Sequence, residues 1–415
     1  MIFRGMTRQL NYIDLFAGAG GLSEGFIKNG FTPLAHVEMN KAACDTLRTR
    51  VAFHYLKEHN QIKIYYKYLK EEITREELWK YIPESIMNSV INSEISNDSI
   101  KSIFEKINEL SKNKKIDLII GGPPCQAYSV IGRARDPKSM QDDPRNFLYK
   151  LYVQFLEMYK PKMFVFENVP GIISAKNGEH FEKIKRAIED AGYAFDFRIL
   201  NANDFNVLQD RKRVIIIGWK KNLRITYPIF ENKELKYRIL KDLFNDLPAI
   251  QNGSGQMGVV PYKKSSTQYL ETTGIRNCID FTTQHISRPN NENDLEIYRI
   301  AVKQWGEGKR LNYGTLPERL INHKNTTCFT NRFQVVNGDG ISHTVVAHIA
   351  MDGHYYIHPD IKQNRSITVR EAARIQSFPD DFYFEGGRTP AFKQIGNAVP
   401  PLMAKGIAEK IREII

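Results

Sequence analysis

Cysteine is scarce in this sequence. The 415 residues include only four cysteines, at positions 44, 125, 278 and 328, and no two of them form a Cys-x-x-Cys pair. Such scattered positions argue against both a zinc cluster and a disulfide framework. We therefore expect no metal site, and a cysteine in a distinctive setting becomes a candidate for a reactive group.

Long hydrophobic runs and a secretory signal are also lacking. The longest apolar runs, such as Val214–Ile217, have the length of a strand, far below the roughly 18 residues that a membrane span needs. The first residues, Met1–Arg4, lack the basic, apolar and small-residue regions of a signal peptide. The composition, with 42% hydrophobic and 26% charged residues, predicts a globular protein. The lack of a membrane span and of a signal favours a cytoplasmic location.

The charge balance is basic. The formal net charge is +12 and the pI is about 9.3, which is compatible with a polyanionic partner. Charge alone discriminates poorly, because many basic proteins bind no nucleic acid.

Apolar runs alternate with helix-like stretches in the first half of the chain. Strands are predicted at Tyr12–Phe16, Leu34–Val37, Asp117–Ile120, Met163–Phe166 and Val214–Trp219. Continuous apolar strands separated by helical segments are typical of buried parallel sheets. The predicted fold class is a doubly wound, mostly parallel α/β sheet with a second, smaller irregular domain.

Three units are predicted along the chain. Residues 1–220 form a first, α/β domain, with a polar, solvated helical insert at about 50–115. Residues 221–390 lack the alternating pattern, are rich in turn residues and form the second domain. Residues 391–415 return to the first domain and end in a helix at Leu402–Ile414.

A glycine-rich turn follows the first strand. Phe16-Ala17-Gly18-Ala19-Gly20-Gly21 allows tight turning and a close approach of the backbone to a ligand. Glu38 follows the second strand, where an acid can accept hydrogen bonds from ribose hydroxyls. Together the two features predict a nucleoside-containing cofactor, although the turn alone could be an ordinary connection.

Chemically active side chains follow the other strands. Cys125 comes after the rigid Pro123-Pro124 pair, and as a nucleophile it would need nearby donors or positive charge. Glu167 closes an apolar strand, either as a proton donor or as a cap of the next segment. Arg211 and Arg213 alternate in an extended segment, so both are expected to point to the same side. The two guanidiniums could hold an acceptor oxygen or activate a thiolate there, or they could belong to a solvated basic strand edge.

In this order the motifs resemble those of the cytosine-5 methyltransferase family. The resemblance covers nearly the whole chain except the insert and the variable region, and the ordered set is far more specific than any single motif. The matching motifs are Asp14–Gly21, Glu38, Gly122–Gln126, Glu167–Val169, Gln209-x-Arg211-x-Arg213, Arg370–Arg374 and Gln394–Pro401. Ser93-Glu94-Ile95 is the best match to the third motif, which normally has Asp where this chain has Glu94.

The resemblance implies S-adenosylmethionine as cofactor and double-stranded DNA as partner. The positions implied for cofactor binding are Phe16, Gly18, Gly20, Gly21, Leu22, Glu38, Met39, Glu94, Pro123, Leu148, Asn397 and Ala398.

A covalent mechanism is implied as well. Cys125 would add to C6 of a cytosine, Glu167 would hydrogen-bond N3 and the exocyclic amine, and Arg213 would bind O2 with Arg211 in support. The base that removes the C5 proton is not identified. Since C5 is not reachable in a duplex, the cytosine must flip out, and residues 126–143, with Gly132, Arg133 and Arg135, resemble the loop that closes over DNA.

Two other functions compete with this interpretation. A tRNA cytosine-5 methyltransferase shares the motifs and has a Cys-Phe-Thr tripeptide, which occurs here at positions 328–330. The long variable segment favours DNA. A non-catalytic DNA-binding relative should have lost the cysteine, the acid or the glycine turn, and all three are present. The compact chain resembles monomeric bacterial restriction–modification enzymes, which predicts a partner endonuclease.

Overall fold

The computed structural model describes residues 9–112, 114–124, 147–231, 234–277, 279–321 and 330–415. Cys125, the loop at 126–143 with Gly132, Arg133 and Arg135, and Cys328 lie outside these ranges.

Strands and helices alternate through the first half of the chain and become sparse after residue 220. The strands are β1 (Leu10–Leu15), β2 (Phe31–Glu38), β3 (Val90–Asn92), β4 (Leu118–Gly121), β5 (Met163–Asn168), β6 (Tyr193–Asn201), β7 (Lys212–Lys220), β8 (Gly255–Pro261) and β9 (Phe281–Ile286). The α-helices are α1 (Gly21–Lys28), α2 (Lys41–Glu58), α3 (Ile62–Leu69), α4 (Arg75–Lys80), α5 (Glu84–Met87), α6 (Ile100–Ser111), α7 (Leu148–Tyr159), α8 (Gly171–Ser174), α9 (Glu179–Asp190), α10 (Gln268–Thr273), α11 (Glu292–Gly306), α12 (Val369–Ile375), α13 (Arg388–Asn397) and α14 (Pro401–Ile414).

One seven-stranded sheet forms the centre of the first half, in the order β3-β2-β1-β4-β5-β7-β6. The pairs from β3 to β5 are parallel, whereas β7 is antiparallel to both β5 and β6. The prediction of a doubly wound, mostly parallel sheet is confirmed. The predicted strands all belong to it, and the sequence analysis missed β3 and β6.

Both faces of the sheet are buried, which explains the continuous apolar runs. In β4, Ile119 packs into the hydrophobic cluster on one face and Ile120 into the cluster on the other. In β5, Phe164 and Val165 are divided in the same way. Successive strand residues point to opposite faces, so a strand covered on both sides must be apolar at every position.

The range 50–115 is less separate than the expected insert. It begins inside α2 and includes β3, the edge strand of the sheet, and α6, whose Ile103 and Ile107 pack in the main core. The helices α2 to α5 share a cluster with Phe281 of β9. A purely solvated insert is therefore wrong, because these helices link the sheet to the second half of the chain.

Residues 221–390, called the second region below, have little regular structure. A two-stranded sheet of β8 and β9 and short helices surround a core in which Arg365, Arg370 and Arg374 are fully buried. The predicted C-terminal helix is confirmed as α14, which packs with α1 on the sheet. Among the described residues, no helix is long and apolar enough to cross a membrane.

Candidate active site

The carboxyl ends of β1, β2, β4 and β5 meet at one edge of the sheet. Residue pairing aligns Leu15 with Val37 and with Gly121, and Gly121 with Phe166. Because β7 runs in the opposite direction, its first residues lie at this edge, where Val214 pairs with Asn168. The topology thus brings together motifs that are far apart in the sequence.

The glycine turn after β1 has backbone angles that favour glycine. Phe16, Gly18 and Gly20 have φ values of 56°, 55° and 80°. Glu38 holds the turn, since its Oε2 accepts a hydrogen bond from the Gly18 N–H at 2.9 Å and its Oε1 accepts one from the Asn40 N–H at 2.7 Å. Each carboxylate oxygen keeps a further lone pair for a ligand hydroxyl.

Gly21 marks a close contact between the turn and the end of the chain. A Cβ at this position would lie 2.3 Å from the Val399 carbonyl oxygen and 3.2 Å from the Ala398 Cβ. Asn397, the exposed last residue of α13, precedes this contact. The structure therefore brings Gly20, Gly21, Asn397 and Ala398 together, as the motif order predicts.

The surroundings of the turn fit a nucleoside-containing cofactor. A Cβ at Gly18 would meet no atom of the described residues within 4 Å, so the turn is open on that side. Met39 is 60% exposed beside Glu38, and the Asn92 side chain donates to the carbonyl oxygens of both residues. Glu94 is exposed just after β3, at the same edge.

Other predicted cofactor residues have packing contacts. Phe16 and Leu148 are partly buried against the same hydrophobic cluster. Leu22 is buried in the cluster on the opposite face of the sheet, so its side chain supports the turn from behind. Asn92 was missed by the sequence analysis because the short β3 was not recognised.

The segment that leads to Cys125 runs beside Glu167. A Cβ on Gly122 would lie 2.5 Å from Glu167 Oε2, and Asn168 Nδ2 donates to the Pro123 carbonyl oxygen at 3.2 Å. Pro123 is buried and Pro124 is exposed. Although Cys125 itself lies outside the described residues, the residue two positions before it is fixed to the end of β5.

Glu167 forms an ion pair with Arg213. The distance from Arg213 Nε to Glu167 Oε1 is 2.8 Å, and the side chains are 11% and 14% exposed. Arg213 Nη1 donates to the Lys212 carbonyl oxygen at 2.8 Å. The pair fixes the orientation of the carboxylate while both side chains remain partly accessible at the sheet edge.

Arg211 has contacts that differ from the expectation. Its fully buried guanidinium donates to the carbonyl oxygens of Val345 at 2.6 Å, Ala398 at 2.8 Å and Gly396 at 3.2 Å. The expectation that Arg211 and Arg213 together hold an acceptor oxygen or activate a thiolate is corrected. Arg211 precedes β7 and fixes the main chain of the C-terminal motif instead.

Two buried glutamines extend this arrangement. Gln209 Nε2 donates to Gln376 Oε1 at 2.8 Å, and Gln376 Nε2 donates to the Ile395 carbonyl oxygen at 2.6 Å. Gln209 was quoted in its motif without a role, and Gln376 follows the Arg370–Arg374 motif. The described residues contain no cluster of three or more His, Cys, Asp or Glu side chains that could hold a metal ion.

Comparison with a protein-family model matches residues 10–75 and 69–413 to the C-5 cytosine-specific DNA methylases. Type II methyltransferase M.Bpa9945I of Bacillus paralicheniformis is 41% identical over 440 aligned residues, covering 97% of this chain and 98% of that protein. Type II methyltransferase M1.HphI of Haemophilus parahaemolyticus is 30% identical, with coverages of 97% and 86%.

Solved structures show the same fold at lower identity. A prophage-encoded E. coli protein, described as a candidate DNA modification methyltransferase, has a TM-score of 0.64 at 24% identity, covering 98% of this chain and 99% of that one. S. pombe Dnmt2 methyltransferase has a TM-score of 0.52 at 15% identity, with 98% of both chains covered. Since the family model and the close relatives span almost the entire sequence, the chain belongs to the C-5 cytosine-specific DNA methylase family and is a DNA (cytosine-5-)-methyltransferase.

Proposed function

We propose that this enzyme methylates C5 of a flipped cytosine within a specific sequence of duplex DNA, through a covalent bond between Cys125 and C6. The observation that carries the proposal is the Glu167–Arg213 ion pair beside Pro123, which offers both an acceptor and donors for a cytosine edge next to the cysteine. A base within the duplex stack could not reach a strand-end site of this kind, so flipping is required.

Each step assigns one role to one residue. The Cys125 thiolate adds to C6, and the electron pair of the C5–C6 double bond makes C5 nucleophilic. In its protonated form, Glu167 would donate to N3 as negative charge develops there, while its other carboxyl oxygen accepts a hydrogen bond from the exocyclic amine. Arg213 keeps donors free for O2 beyond its bonds to Glu167 and Lys212. After methyl transfer, loss of the C5 proton to a base that is not assigned restores the double bond and releases Cys125.

Arg211 acts differently in this mechanism. Its three bonds to main-chain carbonyl groups make it a positioning residue, which holds Ala398 and thereby the contact with Gly21.

S-adenosylmethionine is the methyl donor in this proposal, and its sulfonium methyl group is the electrophile for C5. Glu38 would bind the ribose, the open turn at Gly18 would admit the methionine part, and Met39 and Glu94 would contact the adenine. The other proposed binding positions are Phe16, Gly20, Gly21, Leu22, Pro123, Leu148, Asn397 and Ala398.

We further propose a division of labour along the chain. Residues 1–220 bind the cofactor and perform the chemistry, the second region (221–390) reads the DNA sequence, and residues 391–415 complete the cofactor site. The loop at 126–143 would close over the flipped cytosine. The relatives are named type II methyltransferases, so we infer that the enzyme protects DNA from a cognate endonuclease. We further expect that it acts as a monomer in the cytoplasm.

The tRNA alternative retains one argument, the Cys-Phe-Thr tripeptide, of which Cys328 and Phe329 lie outside the described residues. Labelled methyl transfer to duplex DNA and to tRNA distinguishes the two substrates. We expect 5-methylcytosine in duplex DNA only, at one sequence that bisulfite sequencing will identify. Activity on tRNA alone would refute the proposal.

A further inference from the structure

Two arginines of distant sequence position lie side by side in the second region. Arg288 follows β9, and its Nη2 donates to the Ala350 carbonyl oxygen at 2.7 Å. Arg388 begins α13, and its Nη1 donates at 3.2 Å to the carbonyl oxygen of Ser287, the neighbour of Arg288. Burial, and after it the charge of Arg388, lowers the pKa of Arg288. The two guanidiniums therefore repel each other.

Neither guanidinium is neutralised within the described part of the chain. The Nε atoms of both arginines are buried and have no hydrogen-bond partner among the described residues, and no carboxylate there lies within 4.0 Å of either guanidinium. Asp352 acts on Arg288 only from farther away. A buried donor without an acceptor destabilises the folded state, and more so when it is charged.

The fully buried arginines of the second region differ in this respect. Arg374 binds Asp246 and Asp380, and Arg365 binds Glu371 with both terminal nitrogens. These partners satisfy the donors of arginines that hold the core together. Arg288 and Arg388 have no carboxylate partner among the described residues, so their donors remain available to bind an anion.

The position of the pair suits a substrate-facing role. Ala350 ends a short turn at Ala347–Ala350, which packs so closely on α13 that a Cβ at Gly396 would lie 2.4 Å from the Ala347 nitrogen. Asn397, at the other end of α13, is about 13.5 Å along the helix axis from Arg388. A duplex held at the active site extends over such a distance.

We propose that Arg288 and Arg388 together bind one phosphodiester group of the duplex DNA substrate. The inference rests on the proposed DNA function and adds to it a backbone contact outside the active site. A phosphate offers several acceptor oxygens to two guanidiniums, and such contacts set the register of a protein on DNA without reading its sequence. The binding of DNA would also remove the repulsion between the two arginines.

The test measures DNA binding by fluorescence anisotropy as a function of salt concentration. The variants are Arg288→Gln and Arg388→Gln, and the control is Arg319→Gln, an exposed arginine already paired with Glu296. Two labelled duplexes of equal length are used, one with and one without the methylated sequence. Each released phosphate contact lowers the slope of log K against log salt by about 0.9.

We expect a reduced slope on both duplexes for either variant and none for the control. Without DNA, both Gln variants should be at least as thermally stable as the original protein. Arg288→Lys, which keeps the positive charge, should retain much of the salt dependence of DNA binding that Arg288→Gln loses. Unchanged slopes, or weaker binding at an unchanged slope together with a lower Tm, would overturn the inference, because the arginines would then be structural. Since binding is measured without methyl transfer, failure of the proposed chemistry would remain distinguishable.

Discussion

The sheet and the second region are stabilised by different forces. In the central strands β4 and β5, almost all residues are apolar and buried on both faces, and the one charged residue, Glu167, lies near the end of β5. In the second region, fully buried Arg365, Arg370 and Arg374 are joined to carboxylates and main-chain carbonyls. The comparison teaches that a polar group at a strand end is available for chemistry. Most buried polar groups in the second region instead bind other groups of the protein and stabilise its fold.

The largest effect is expected at the sheet edge and should leave stability almost unchanged. Replacing Glu167 by Gln removes the charge beside the cysteine but keeps a hydrogen-bonding partner for Arg213. We expect methyl transfer to fall by about 10²–10⁴ at a nearly constant Tm. The control is Glu182→Gln on the exposed face of α9. Activity within a few-fold of the original would contradict a catalytic Glu167.

The second region should show the opposite behaviour. Arg374→Met leaves Asp246 and Asp380 buried without the cation that now binds both at 2.5 Å. The free energy of unfolding should drop by up to about 3–5 kcal/mol, because each buried carboxylate loses its shortest ion pair and keeps a longer one, to Arg276 at 3.0 Å or to Arg370 at 3.9 Å. For the exposed Arg319→Met, we expect a loss of at most about 1 kcal/mol. Chemical denaturation compares the two variants. Equal losses in the free energy of unfolding would contradict the claim that buried ion pairs stabilise the second region.

The junction between the glycine turn and the C-terminal motif should respond in cofactor affinity. A Cβ at Gly21 would overlap the Val399 carbonyl oxygen, so Gly21→Ala must displace α1 from residues 398–399. We expect about tenfold weaker binding of S-adenosylhomocysteine by calorimetry, equivalent to about 1.4 kcal/mol. Gly306→Ala, where a Cβ meets no described atom within 4 Å, is the control. If Gly21→Ala and Gly306→Ala bound S-adenosylhomocysteine equally well, the contact between Gly21 and Val399 would not contribute to cofactor binding.

An effect of similar size to that of Gly21→Ala concerns pH. Burial lowers the pKa of His358, which faces Glu371, Arg365 and Asp360, to about 4. In the unfolded chain, His358 binds a proton near pH 6.5, so the contribution of the neutral imidazole to the free energy of unfolding is complete above that pH and is lost as pH falls towards 4. The free energy of unfolding should fall from pH 7 to pH 5, and His358→Gln should reduce this fall by about 1–2 kcal/mol, as measured by denaturation at both pH values. Burial also lowers the pKa of His36 in β2 to about 4, so His36→Gln should act similarly. An unaltered pH profile in both variants would contradict the account.

The same difference explains what could be predicted from sequence. The apolar strands and the residues at their ends follow a local rule, so the sheet, Glu38 and Glu167 were found. The role of Arg211 depends on carbonyl groups of Val345 and Ala398, which are far away in sequence, and no local pattern indicates them. The short β3 is an edge strand of three residues, too brief for a period to be recognised.

The second region was predicted only as irregular. Its order comes from pairs such as Arg374 with Asp246, which are formed by charged residues that are ordinarily exposed. The pair of Arg288 and Arg388 could not be predicted either, because arginines are ordinarily exposed and no local pattern indicates that these two lie close together.

The central claim, that Cys125 attacks the cytosine ring beside Glu167, is tested most directly by covalent capture. A duplex with 5-fluorocytosine at the methylated position prevents the final elimination, because fluorine cannot leave as a proton does. Mass spectrometry should then find one protein joined to one DNA and one methyl group, and Cys125→Ser should form no such species. A covalent species from Cys125→Ser, or full methylation of ordinary DNA by that variant, would contradict the account.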